Sequence, residues 1–126
     1  MSSACPCGLA EPYPQCCGRF HSGAQTAPTA ERLMRSRYAA FAMRDAAYLL
    51  RTWHPRTRPG RLRLDPQQRW TGLTILDRSR GGLLDQTGTV EFEAAYRLGG
   101  RPGTVRERSQ FARHDGLWTY LGPAAP

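Results

Sequence analysis

The residues with the clearest chemistry are cysteines that lie within thirteen positions of one another near the N-terminus. The chain of 126 residues contains four, namely Cys5, Cys7, Cys16 and Cys17. Four thiolates brought to one point form a tetrahedral set that suits Zn²⁺. Pro6 and Gly8 favour a tight turn that presents the first two sulfurs together, and the later two, adjacent in sequence, can close the site. The spacing therefore predicts a zinc site with these four ligands.

The same spacing leaves alternatives open. It departs from the C-x2-C pattern of common zinc fingers, so a redox dithiol, or crossed disulfides such as Cys5 to Cys16 in an oxidising setting, competes with the metal. His21 follows Cys17 by four residues. Its imidazole could replace one cysteine or donate a hydrogen bond to a thiolate. We treat His21 as a reserve ligand.

A second candidate site pairs a carboxylate with an imidazole. Glu107 shares one face of a predicted strand with apolar neighbours, where it is either half of an ion pair with Arg35 or Arg37 or a general base. His54 precedes a proline at a predicted helix end, where packing is the simplest role. Together His54 and Glu107 form the sharpest catalytic hypothesis, a pocket enzyme that abstracts a proton or hydrates its substrate.

The charge of the chain favours anionic partners. The formal net charge is +8, and all 18 basic residues are arginine. Nucleic acid could be gripped by the segment that carries Arg56, Arg58, Arg61 and Arg63, although such a run is more often a solvated loop. Aromatic residues offer either a stacking platform or, more simply, a sheet core; they are Trp70, Tyr96, Trp118 and Tyr120.

Helices are predicted in the first half of the chain. Thr29 can cap a helix over 30–44, whose apolar face comprises Leu33, Met34, Tyr38, Phe41 and Ala42. Asp45 can cap a second helix, which must end before Pro55. Asp65 and Pro66 then favour a short helical turn that reaches Arg69.

Strands are predicted in the second half, over 71–77, 87–97, 104–113 and 117–121. Side chains alternate within them, so that Val90, Phe92, Ala94 and Tyr96 share one face. Gly99-Gly100 and Pro102-Gly103 indicate the turn between the second and third strands. Helices followed by an antiparallel meander predict an α+β domain.

Two stretches carry a resemblance to known families. Residues 5–21, CPCGLAEPYPQCCGRFH, resemble the SEC-C motif, the zinc-binding tail element of a protein-export motor that engages an acidic chaperone. The resemblance implies four cysteine ligands and a protein partner. The later segments LMRSRYAAF, RTWHP, WTGLTIL and ERSQFARHDGLWTY look like the YchJ family. That family implies a nuclear-transport-factor-2-like (NTF2-like) fold, with helices packed into a curved sheet around a conical pocket.

These observations together predict the organisation and role of the chain. We expect a knuckle over 1–22, a linker over 23–28, an NTF2-like domain over 29–122 and a tail over 123–126. The leading hypothesis is a zinc-binding adaptor with a ligand-sized pocket, which binds a protein partner and could form a homodimer. A pocket enzyme and arginine-driven nucleic-acid binding are the alternatives. No apolar run suits a membrane span and no signal peptide is indicated, so a cytoplasmic location is expected.

Overall fold

The computed structural model describes residues 4–124 and contains helices followed by one sheet. A 3-10 turn at Tyr13–Gln15 precedes three α-helices, α1 (Gly18–His21), α2 (Ala30–Met43) and α3 (Ala46–Arg51). The strands are β1 (Gln68–Arg80), β2 (Thr87–Leu98), β3 (Arg101–His114) and β4 (Leu117–Pro123). The expected α+β class is confirmed. Residues 1–3 of the predicted knuckle and 125–126 of the predicted tail lie outside the described residues.

The two predicted helix caps form. Thr29 Oγ1 accepts a hydrogen bond from the Arg32 amide at 3.1 Å, and a carboxylate oxygen of Asp45 accepts one from the Tyr48 amide at 3.1 Å. Each bond satisfies an amide that has no partner within its own helix. Helix α2 ends at Met43, one residue earlier than predicted, because Arg44 adopts a left-handed conformation with φ of 59°. That conformation reverses the chain towards α3.

The sheet is an antiparallel meander in which strand order equals chain order, β1-β2-β3-β4. Two turn predictions need correction. A turn does form at Asp65, whose carbonyl accepts from the Gln68 amide at 3.2 Å and whose side chain accepts from the Gln67 amide, but it does not reach Arg69 because β1 begins at Gln68. Pro102 and Gly103 belong to β3 and not to the turn. A Cβ at Gly103 would lie 2.6 Å from the ring of Tyr96, so the glycine leaves space for that ring.

Helix α2 is the centre of the molecule because three groups of residues pack around it. Three residues of its predicted apolar face, Leu33, Met34 and Tyr38, meet the sheet in a core that also includes Val90, Phe92, Ala94, Phe111 and Trp118, whereas Phe41 packs against the α3 side. A second side packs on α3 through Ala40, with Phe20, Tyr48 and Leu49. A third side meets the cysteines through Ala39. No helix among residues 4–124 is both long enough and apolar enough to cross a bilayer.

Candidate metal centre and cavity

The four cysteine sulfurs converge in the segment 4–22, which we call the knuckle. All four Sγ atoms lie within 4.8 Å of one another, and Cys7 Sγ and Cys16 Sγ are 3.6 Å apart. Tetrahedral zinc with Zn–S bonds of about 2.3 Å places its sulfurs about 3.8 Å apart. Each cysteine is free and at most 4 % exposed. The residues therefore fit a single, closed tetrahedral metal ion.

Backbone hydrogen bonds fold the knuckle so that distant cysteines meet. The Cys5 amide donates to the Glu11 carbonyl at 2.8 Å, which folds the first loop back on itself. Gly8 turns this loop with φ of 93°, a conformation that disfavours any residue with a side chain. The 3-10 turn then positions Cys16, whose amide donates to the Tyr13 carbonyl at 3.0 Å. The cysteine geometry is thus supported by the main chain as well as by the sulfurs.

The thiols of the cluster strongly affect one another. Hydrogen bonding from the Cys17 thiol lowers the pKa of Cys7 to about 5. Burial raises the pKa of Cys16 to about 12, and the hydrogen bond to Cys7 raises the pKa of Cys17. A thiolate at Cys7 is therefore stabilised by the hydrogen bond from the Cys17 thiol. A divalent cation would supply the positive charge that allows the other thiols to ionise.

Helix α2 holds the knuckle through two arginines that sequence reasoning did not connect with it. Arg35 donates to the Cys7 carbonyl at 2.8 Å and to Glu31 at 3.0 Å. Arg32 Nη2 lies 4.0 Å from Cys16 Sγ, and its buried Nε has no acceptor in the described part of the chain. A divalent ion with four thiolates has a net negative charge, which these guanidinium groups would balance. Their positions one turn apart on α2 were the available sequence signal.

His21 lies outside the group of converging sulfurs, so its reserve position is corrected. Both ring nitrogens have other partners: Nδ1 is 2.6 Å from the Tyr13 hydroxyl, and Nε2 is 2.8 Å from the Ser36 carbonyl. The ring also packs against Tyr48, with centroids 4.5 Å apart. His21 therefore links the knuckle to α2 and α3 by hydrogen bonding and packing.

A cavity of about 210 Å³ lies between α2 and the sheet. Its wall is mostly apolar and aromatic, formed by Met34, Tyr38, Phe41, Trp53, Trp70, Phe92, Ala94 and Val105. Polar side chains also line it, namely Arg37, Glu107, Ser109 and Tyr120. An apolar enclosure with a few convergent polar groups is the usual form of a small-molecule site.

The polar groups of the cavity form a connected chain. Glu107 Oε2 accepts hydrogen bonds from Ser109 Oγ at 2.5 Å and from the Tyr120 hydroxyl at 2.8 Å. The Arg37 guanidinium lies over the Tyr120 ring, 4.6 Å from its centroid. Burial and the hydrogen bond to Glu107 raise the pKa of Tyr120, so its hydroxyl remains a donor at neutral pH.

The predicted partners of Glu107 need correction. Arg35 points to the knuckle, where it donates to the Cys7 carbonyl, and it also binds Glu31 of its own helix. Arg37 is 3 % exposed and donates through Nη1 to the Leu49 carbonyl and to Thr52 Oγ1, both at 2.7 Å. Within residues 4–124, neither arginine forms an ion pair with Glu107. Burial lowers the pKa of Arg37 to about 10, which leaves it charged at neutral pH.

His54 and Glu107 do not face one cavity, so the predicted catalytic pair is not assembled. Trp53 lines the cavity, whereas its neighbour His54 does not. The His54 ring packs against that of His114, with centroids 5.1 Å apart, and Nδ1 accepts from the Arg56 amide at 3.0 Å. Partial desolvation and the nearby His114 lower the pKa of His54. Its role is packing and hydrogen bonding beside the β3–β4 turn.

The comparisons with known proteins identify the family. A sequence model described as "YchJ, middle NTF2-like domain" matches residues 29–123. The chain belongs to the YchJ family. A YchJ relative, a UPF0225 protein of Streptomyces coelicolor, is 62 % identical over 116 residues, which are 92 % of this chain and 90 % of that one. A UPF0225 protein of Corynebacterium glutamicum is 49 % identical over 120 residues, 95 % of each chain.

Solved structures extend this YchJ likeness to the knuckle. The solution structure of a SEC-C motif containing protein from Rhodopseudomonas palustris has a TM-score of 0.83 at 34 % identity and covers 98 % of this chain and 99 % of that one. The crystal structure of a SEC-C motif containing protein from Psychrobacter arcticus has a TM-score of 0.77 at 26 % identity, over 98 % and 83 %. A match over 98 % of the chain includes the cysteine segment.

The remaining candidates in this YchJ chain differ in burial. Trp118 is 3 % exposed and belongs to the core, while Trp70 and Tyr120 pack against that core. The core interpretation is confirmed for Trp118, whereas Trp70 and Tyr120 also line the cavity and Tyr96 packs edge to face on Trp70, with centroids 5.3 Å apart. In contrast, Arg56, Arg58, Arg61 and Arg63 are all exposed. Nucleic-acid binding by these arginines stays a prediction.

Proposed function

We propose that the protein is a non-catalytic, zinc-stabilised binding module that joins a protein partner to a small ligand held in the cavity. The observation that carries this proposal is the closed set of four buried cysteines. Structural zinc sites use four protein ligands, whereas catalytic sites keep one position for water or substrate. The fourth cysteine thus favours a structural metal in a binding module over a catalytic metal.

Zinc is the metal that this donor set favours. Four thiolates in a tetrahedral arrangement select Zn²⁺ or iron among the common biological metals. The four sulfurs lie within 4.8 Å of one another and converge on the position of a single ion, which disfavours a multinuclear iron–sulfur cluster. When bound, zinc would cross-link the two loops of the knuckle. Arg32 and Arg35 would balance its thiolate charge and hold it against α2.

A protein partner would meet the outer surface of the knuckle. Its cysteines face inwards, but Pro6, Glu11, Pro12, Pro14 and Gln15 are exposed. Fixed by zinc and by α2, this surface would be preorganised, which reduces the entropy lost on binding. The expected setting is the cytoplasm, whose reducing conditions keep thiols available to a metal.

Metal analysis of the purified protein tests the zinc proposal. The expected result is one zinc per chain by mass spectrometry of the intact protein, and none in the double variant Cys16→Ser, Cys17→Ser. Gln15→Ala, an exposed change beside the same ligands, is the matched control and should retain zinc. Zinc-free wild-type protein would contradict the proposal, and so would identical sets of captured partners from the wild type and the double variant.

Binding of naphthalene tests the cavity proposal separately. Ala94 lines the cavity and is 2 % exposed, so Ala94→Leu should fill it and abolish the NMR shift changes that naphthalene causes. Ala95 follows it on the same strand and is not among the cavity-lining residues. Ala95→Leu is therefore the matched control and should bind naphthalene as the wild type does. Equal binding by both variants would contradict a cavity site.

A further inference from the structure

In the part of the chain that the structure describes, Glu107 has one carboxylate oxygen without a partner in the cavity wall. Glu107 Oε2 receives both hydrogen bonds, from Ser109 and Tyr120, and Oε1 receives none from the residues that the structure describes. An ionised carboxylate has several acceptor sites and is costly to desolvate without donors. Glu107 is only half-buried and lines the cavity. A molecule in the cavity that carries an N–H or O–H group could therefore donate to this carboxylate.

Arg37, in the same cavity wall, has hydrogen-bond donors without acceptors among the described residues. Its Nη1 makes both hydrogen bonds, to the Leu49 carbonyl and to Thr52, while Nε and Nη2 have no acceptor among residues 4–124. The guanidinium is held between aromatic rings, 5.1 Å from the Trp53 centroid and 4.6 Å from that of Tyr120. This fixed geometry makes Arg37 a preorganised donor to an oxygen acceptor.

The two charges limit which molecules can enter. Arg37 and Glu107 line the same cavity, and Tyr120 contacts both of them. Arg37 would attract an anion, but Glu107 would repel it. Glu107 would attract a cation, but Arg37 would repel it. A neutral group that donates and accepts side by side would satisfy both residues without bringing a third charge into an apolar enclosure.

The aromatic part of the cavity wall favours a ligand with a flat, apolar ring. Tyr38, Phe41, Trp70 and Phe92 all line the cavity. Tyr38 and Trp70 meet edge to face, with centroids 6.1 Å apart. Such surfaces pack favourably against another aromatic ring. The volume of about 210 Å³ suits a molecule of one or two rings.

From these contacts we propose that the cavity binds a neutral aromatic amide, either a carboxamide or a lactam, whose N–H donates to Glu107 and whose carbonyl accepts from Arg37. The proposal rests on the proposed binding role of the cavity and adds the chemical class of the ligand. No covalent step is involved.

Three probes of the same shape and different charge test this class at pH 7. They are 2-naphthamide, which is neutral, 2-naphthoate, an anion, and 2-naphthamidine, a cation. Isothermal titration of the zinc-loaded, full-length protein should show that the amide binds at least tenfold more tightly than either charged probe. A wild-type protein that binds naphthoate or naphthamidine as tightly as the amide would overturn the proposal.

The substitution Glu107→Gln sharpens the test because it removes the charge and retains the shape. Naphthoate should then bind at least tenfold more tightly than to the wild type, since its carboxylate meets Arg37 without opposition. The matched control is Glu93→Gln, an exposed residue on β2 that does not line the cavity, which should leave all three affinities unchanged. An unchanged naphthoate affinity in Glu107→Gln would overturn the role of Glu107.

Failure of the ligand class is distinguishable from failure of the binding role. If naphthalene binds in the Ala94-sensitive manner but the amide has no advantage, the amide class is wrong and the cavity remains a binding site. If neither naphthalene nor any of the three probes binds, both proposals are wrong.

Discussion

The knuckle and the cavity share helix α2 but are assembled by different means. The knuckle draws its four sulfurs from thirteen consecutive residues, and short backbone hydrogen bonds bring them together. The cavity draws its polar groups from a helix and two strands, so that Arg37 and Tyr120 are 83 positions apart in the chain. Local spacing specifies the first site, whereas only the completed tertiary structure specifies the second.

Because they are assembled differently, the two sites depend on different interactions for their stability. A metal ion would stabilise the knuckle, because so small a segment buries little apolar surface of its own. The cavity lies beside the core of α2 and the sheet and depends on packing and on the Arg37, Tyr120 and Glu107 contacts. We therefore expect the two regions to respond differently to the same perturbations.

Removal of the metal is expected to have the largest effect and to fall on the knuckle. Chelation of zinc should lower the thermal midpoint by roughly 10 °C or more, because structural zinc contributes directly to folding. Hydrogen exchange should speed up in residues 4–21 and change little in β2 and β3. Equal loss of protection in both regions would show that the knuckle and the sheet fold as one unit.

Replacement of Arg37 by methionine should have the next largest effect, and on the cavity side alone. The change removes the closest donor to the Leu49 carbonyl and the positive charge near Glu107, at a cost of about 3 kcal/mol. Urea unfolding measures the loss, and the zinc content should not change. Arg61→Met, on the exposed loop, should alter stability by less than about 0.5 kcal/mol.

His21→Ala should have a smaller effect at the boundary between the regions. It removes the hydrogen bonds that join Tyr13 to the Ser36 carbonyl, so we expect a loss of about 2 kcal/mol. Zinc stoichiometry should stay at one per chain, because His21 is not among the converging ligands. His114→Ala, an exposed histidine, is the control. Loss of zinc in His21→Ala would contradict this assignment and indicate that His21 is a metal ligand.

Much of the fold could be predicted from the sequence because its signals are local. Caps at Thr29 and Asp45 and the alternation along β2 depend on neighbouring residues, and the structure confirms them. The burial of Ser36 and Arg37 could not be predicted. A helix that packs on one side would leave both exposed, but α2 packs on the sheet, on α3 and on the knuckle at once.

The two candidate sites also differ in how far the sequence alone predicts them. Close spacing in the chain indicated that the four cysteines could meet, and they do. The pairing of His54 with Glu107 failed because adjacency in sequence does not tell which of two neighbours faces inwards. The Trp53 side chain lines the cavity. The backbone amide of His54 donates to the Tyr120 carbonyl at 2.8 Å, and the His54 side chain does not line the cavity.

The order of the strands has a consequence for how the chain folds. Because each strand pairs with the next one along the chain, every hairpin closes a short loop and loses little chain entropy. Such low contact order favours rapid formation of the sheet. The sheet can therefore form before α2 and the knuckle dock, and metal capture need not precede it.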